Sequence, residues 1–141
     1  GYQSLDLGYS LLPKNYPDGA TYVITWRGTL TGGAGTNTYQ WRMQYNGISL
    51  GETGLLQKKN VGTVTVEGRM NLTFSDGTWY PTMIVHHLTS GGGTGYDGAT
   101  GATSPVAVDD ALVPALLKLD FNPSSAATTL NLDSVIIERK A

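Results

Sequence analysis

The chain has no cysteine. That absence excludes disulfide staples, thiolate nucleophiles, zinc-finger ligation and iron–sulfur chemistry. Charge is scarce as well: 14% of the 141 residues are Asp, Glu, Lys or Arg, against roughly 25% in an average soluble domain. Nine basic and eleven acidic residues leave a formal charge of -2. Such a balance offers no footprint for a nucleic-acid backbone and no polybasic handle for anionic lipid. No run approaches the ~18 apolar residues of a membrane-spanning helix, so membrane insertion is not expected. The opening Gly1-Tyr2-Gln3-Ser4 has neither the basic start nor the apolar stretch of a signal peptide, and no Met. The expectation is a single domain, residues 1–141, excised from the C-terminal part of a longer protein.

What is present is a period of two. Tyr22, Ile24, Trp26 and Leu30 alternate with Thr21, Thr25, Arg27 and Thr29. Tyr39, Trp41, Met43 and Tyr45 alternate with Gln40, Arg42 and Gln44. In the longest run Val64, Val66, Met70, Leu72 and Phe74 share one face, and Thr63, Thr65, Glu67, Arg69, Asn71 and Thr73 the other. This alternation sets one face on a core and the other in water, as in antiparallel sheets. Further strands are expected over Ser4–Leu12, Gly47–Gln57, Trp79–Leu88, Leu116–Asn122 and Thr128–Arg139. Asp18-Gly19, Asn46-Gly47, Asp76-Gly77 and Asp97-Gly98 supply turn residues, with hairpins expected at the second and third. Pro81 falls inside a strand pattern and implies an edge or a bulge there.

Ser90 to Pro105 breaks the rhythm: it is rich in Gly, Ala and Thr, with almost nothing to bury, and reads as a long loop. After it, at most one short helix is expected near 109–117, limited by Pro114. The fold class is therefore all-β, a two-sheet antiparallel β-sandwich. Jelly-roll topology is favoured, and an immunoglobulin-like order is the rival.

Candidate chemistry is thin. Gly47-Ile48-Ser49-Leu50-Gly51 spells a serine-nucleophile pattern, but no helix follows it, and a hairpin return explains it better. Gly93 to Gly98 spells a phosphate-binding pattern without the flanking strand and helix. His86 and His87 are adjacent in a strand and point to opposite faces, so they do not chelate one ion together. Asp109-Asp110 read as helix-capping acids rather than a calcium site. Glu67 and Asp120 form the one conceivable acid pair, and both suit solvent-facing positions. Asn71-Leu72-Thr73 spells a glycosylation sequon in mid-strand. The expectation is a non-enzymatic protein without metal or cofactor. Among the aromatics, Tyr22, Trp26, Tyr39, Trp41 and Tyr45 read as core. Trp79 and Tyr80 alternate, so one of them should reach the surface. Tyr96 and Asp97 lie mid-loop, a ring beside a carboxylate, which suits sugar recognition. Tyr96, Asp97, Trp79 and Tyr80 are the candidate ligand-binding residues.

The segments Tyr22-Val23-Ile24-Thr25-Trp26-Arg27-Gly28 and Leu130-Asn131-Leu132-Asp133-Ser134-Val135-Ile136-Ile137-Glu138-Arg139 are similar to strands in the knob domains that cap phage tail fibres and tail needles. Those knobs are often trimeric jelly rolls related in shape to tumour necrosis factor and adenovirus knobs. The resemblance implies a homotrimer at the virion tail tip, outside the cell, contacting a host-surface glycan or envelope component. It transfers no binding residue. A carbohydrate-binding module of a secreted enzyme and a purely structural plug are the alternatives.

Overall fold

The computed structural model describes residues 3–11, 19–32, 37–45, 47–53, 56–58, 62–88, 98–100, 102–103, 105–107, 115–124 and 128–140. The strands are β1 (Gln3–Leu11), β2 (Thr21–Gly32), β3 (Asn37–Tyr45), β4 (Ile48–Glu52), β5 (Leu56–Lys58), β6 (Gly62–Ser75), β7 (Thr78–Leu88), β8 (Gly98–Thr100), β9 (Ala102–Thr103), β10 (Val106–Ala107), β11 (Ala115–Pro123) and β12 (Thr129–Lys140). They form two antiparallel six-stranded sheets. Sheet A runs β1-β11-β3-β4-β9, with β5 also on β3; sheet B runs β10-β7-β6-β2-β12, with β8 also on β7. The chain is an all-β sandwich, as the alternation requires.

The alternating residues meet between the sheets. Tyr22, Ile24, Trp26 and Leu30 from β2, Val66, Met70 and Leu72 from β6, and Trp79 and Val85 from β7 are buried against Tyr39, Trp41 and Met43 of β3 and Leu117, Leu119 and Phe121 of β11. Two aromatic chains run through this layer. Trp26 and Trp41 join the sheets with ring centroids 5.9 Å apart, and Trp41 continues to Phe121 at 5.1 Å. Within sheet B, Trp79 lies 6.0 Å from Tyr22 and 5.1 Å from Phe74. Tilted and edge-on pairs of this kind add about 0.5–1.5 kcal/mol each beyond their buried area.

Local chemistry places the elements. Asp76 (φ 48°) and Gly77 (φ 72°) both adopt positive φ and close the β6–β7 hairpin, the two-residue turn whose twist matches its strands. Gly47 (φ 79°) starts the return from β3 to β4. The expected strand Gly47–Gln57 is two strands on β3: β4 pairs with residues 42–45 and β5 with 37–39. Between them buried Thr53 donates its amide to the Trp41 carbonyl, and its hydroxyl accepts the Trp41 amide, each at 2.9 Å. A side-chain oxygen thus stands in for the ladder where the strand breaks.

One expectation needs correction. Within the supposed loop 90–105, Gly98–Thr100 pairs with Ile84–His86 of β7, and Ala102–Thr103 pairs with Gly51–Glu52 of β4. Edge ladders use backbone groups, so apolar side chains are not needed to recruit such a segment. Near 109–117, where at most one short helix is expected, the described part, Ala115–Leu117, is extended in β11. There Leu117, Leu119 and Phe121 all point into the core, a period of two that a helix cannot supply. Residues 109–114, with Asp109 and Asp110, lie outside the described residues.

Pro81 is buried in β7 opposite Leu72. The outer edge of β7 is covered by β10 at residues 78–79 and by β8 at residues 84–86. Pro81 occupies the stretch between these two partners, where a missing amide hydrogen costs the ladder little.

Candidate functional site

Register across sheet B fixes which polar side chains share its outer face. One row reads Ser134, Arg27, Glu67, His86, across β12, β2, β6 and β7. The next reads Ile136, Thr25, Arg69, Ile84. In the first row Glu67 stands between two bases, 3.4 Å from Arg27 Nη1 and 3.6 Å from His86 Nε2. In the second row Arg69 is exposed and pairs with none of the described acids. Thr25 and Asn71 flank it, one across the sheet and one along β6.

Four large apolar side chains are exposed among the described residues, and three of them belong to this face: Tyr80 (48%), Ile84 (42%) and Ile136 (53%). The face is therefore rich in hydroxyls and carries separated apolar groups and a central guanidinium that pairs with none of the described acids.

The outer face of sheet A is different. Asp120 of β11 is fully buried, and one of its oxygens accepts from Arg42 Nε at 2.8 Å, from Arg42 Nη2 at 2.7 Å and from Gln44 Nε2. Asn122 and Gln40 extend the same polar layer, Asn122 Nδ2 donating a 3.4 Å hydrogen bond to Gln40 Oε1. Asp120 was expected to face solvent; it is instead sequestered beneath two long β3 side chains. Glu67 and Asp120 project from opposite sides of the sandwich, so they do not form an acid pair across a substrate.

The candidate residues separate accordingly. Tyr80 is at the surface. Trp79 is fully buried between Tyr22 and Phe74, so its ring belongs to the core and presents no face to a ligand. Alternation demanded that one of the two go inward. Tyr96 and Asp97 lie outside the described residues. Ser49 is exposed in β4 opposite Gln44, in the hairpin return that its sequence pattern also allows. His86 engages Glu67; for His87 the backbone pairing with Val66 is defined. Asn71 of the sequon sits mid-strand opposite Val23 and Thr82. Among the described residues no three His, Cys, Asp or Glu side chains converge to hold a metal.

Sequence reasoning missed Arg69 and the Arg42–Asp120–Gln44 cluster. Alternation alone sends all four outward; only the register tells which acid meets which base. Compared with known protein families, curated proteins and solved structures, the chain has no match.

Proposed function

We propose that the domain is a non-enzymatic binding knob, trimeric and jelly-roll-like, at the tip of a phage tail fibre or needle, where it contacts a glycan or other envelope component of the host surface. The observation that carries this reading is β12. Among the described strands it is an edge of sheet B, with one partner, β2. Its inward side chains Leu130, Leu132, Val135 and Ile137 pack on the core but stay only partly buried. A long edge with an incompletely covered apolar stripe is a liability in a lone domain and an asset in a symmetric assembly. The chain's repeated crossing between sheets supports the jelly-roll part of the reading.

Light scattering of the purified domain tests the assembly. A trimer mass at tens of micromolar, roughly the range in which weak interfaces dissociate, is the expected result; a monomer there overturns it. Attachment of the labelled domain to host cells, competed by soluble envelope glycan, tests the receptor role.

Tyr80 favours a second reading. One exposed ring on a flat sheet face suits a monomeric carbohydrate-binding module from a secreted enzyme. Oligosaccharide binding by a strictly monomeric domain would select it.

A further inference from the structure

We infer that the outer face of sheet B, centred on Arg69, binds an acidic glycan, one carrying a carboxylate on a sugar ring. The inference rests on the binding-knob reading and names its site and ligand class.

Charge is the first argument. Arg69 stands on β6, the central strand of the five-strand path of sheet B. Its nearest acid along the strand, Glu67, is already held between Arg27 and His86. The Arg69 side chain is exposed and pairs with none of the described acids, in a chain whose net charge is -2. A planar fork of donors matches a carboxylate, and such charge-assisted bonds are the stronger kind.

The surroundings decide what carries that carboxylate. A protein partner needs a contiguous apolar centre from which water is expelled. Here Ile84 and Ile136 are held apart by Arg69 and Thr25, three strand spacings in one row, or about 14 Å at about 4.8 Å per strand. Between and around them are Thr25, Asn71 and Thr82, which offer hydroxyls and an amide to a polyhydroxylated ligand; Val23, beside Asn71, is only 7% exposed and adds little apolar surface. Ile84, beside Arg69, gives a small apolar footing for a ring face or a methyl substituent. Tyr80 lies four residues along β7 from Ile84, roughly 13 Å at about 3.3 Å per residue. The face thus pairs a carboxylate anchor with a stacking ring at the separation of distinct sugar units along one oligosaccharide. A shallow plane of this kind binds weakly through one copy, and three linked copies raise the avidity without new contacts.

The test titrates the intact domain with sialic acid oligomers and oligogalacturonate, each beside its methyl-esterified, uncharged counterpart. At least one acid is expected to bind, with its ester roughly tenfold or more weaker, the loss typical of a hydrogen-bonded charge. Arg69→Gln should lower binding of the acid to the level of the ester, Arg69→Lys should fall between, and Tyr80→Ala should weaken both. Lys118→Gln, on the other sheet, should change nothing. Unaltered circular dichroism and thermal midpoint establish that each variant is folded. If acid and ester bind equally, or if Arg69→Gln binds like the parent, this inference fails while the glycan-binding reading survives. If the parent binds none of these probes but attaches to host cells through another glycan without needing Arg69, the inference fails in the same way. If it binds no glycan of any kind, both fail. Arg69-dependent capture of an acidic peptide in place of a glycan would also overturn the proposal and transfer the face to a protein partner.

Discussion

The indole of Trp26 lies flat over Gly68, its cross-strand partner on β6. A Cβ at Gly68 would come within 2.5 Å of the indole nitrogen and nearer still to the adjoining ring carbons. Glycine in a strand interior ordinarily weakens it; here its missing side chain is the seat of one of the three buried tryptophans. The gap at 68 in the apolar face Val64, Val66, Met70, Leu72, Phe74 therefore has a physical cause on the neighbouring strand.

Gly68→Ala should accordingly destabilise the domain by about 1–3 kcal/mol, the usual cost of overpacking. The sign is informative, since Gly→Ala at an unstrained position stabilises through the unfolded chain. Urea unfolding read by tryptophan fluorescence measures it, and a rise in midpoint contradicts the packing.

Asp120→Ala should lower stability by about 2 kcal/mol. Breaking a fully buried ion pair costs roughly 3–5 kcal/mol, but Arg42 keeps 27% of its side chain exposed and recovers some hydration. A double-mutant cycle with Arg42→Met isolates the coupling; additive losses would show that the two side chains act independently.

Glu67→Gln should change stability by less than about 1 kcal/mol, because its partners are a well-exposed Arg27 and a partly exposed His86. The contrast with Asp120→Ala separates an ion pair in water from one beneath the surface. An equal loss at both sites would contradict the burial described for Asp120.

Ile137→Ser should abolish self-association while leaving a folded monomer, since Ile137 is only partly buried beside Ile24. Sedimentation velocity together with circular dichroism reads both properties at once. A trimer that survives the change removes β12 from the interface.

How much of this was legible before folding can be argued strand by strand. Alternation reports burial directly, so β2, β3, β6 and β7 and nearly all of the aromatic core follow from spacing. The positive φ of Gly47 and Gly77 follows from Asn-Gly and Asp-Gly chemistry. By contrast, β8 and β9 are held by backbone pairing at sheet edges, which leaves no hydrophobic signature, and β10 adds a single buried side chain, Val106, too little to show as a period. The same limit hid the candidate site. By sequence, Glu67 sits two residues from Arg69 on the same outward face, while Arg27 lies between Thr25 and Thr29. Only cross-strand register gives Glu67 to Arg27 and leaves Arg69 alone.

The run 98–107 steps from β8 on sheet B to β9 on sheet A and back to β10 on sheet B, lacing the two layers along one seam. Each stitch is only two or three residues long, so the lace unfastens at far less cost than the long ladders beside it. Breathing of that seam would lay bare the rim of β7, the margin of sheet B opposite β12. Proteolytic nicking within this run would accordingly leave sheet B with exposed backbone along β7 as well as along β12, a second ladder on which another extended chain can pair.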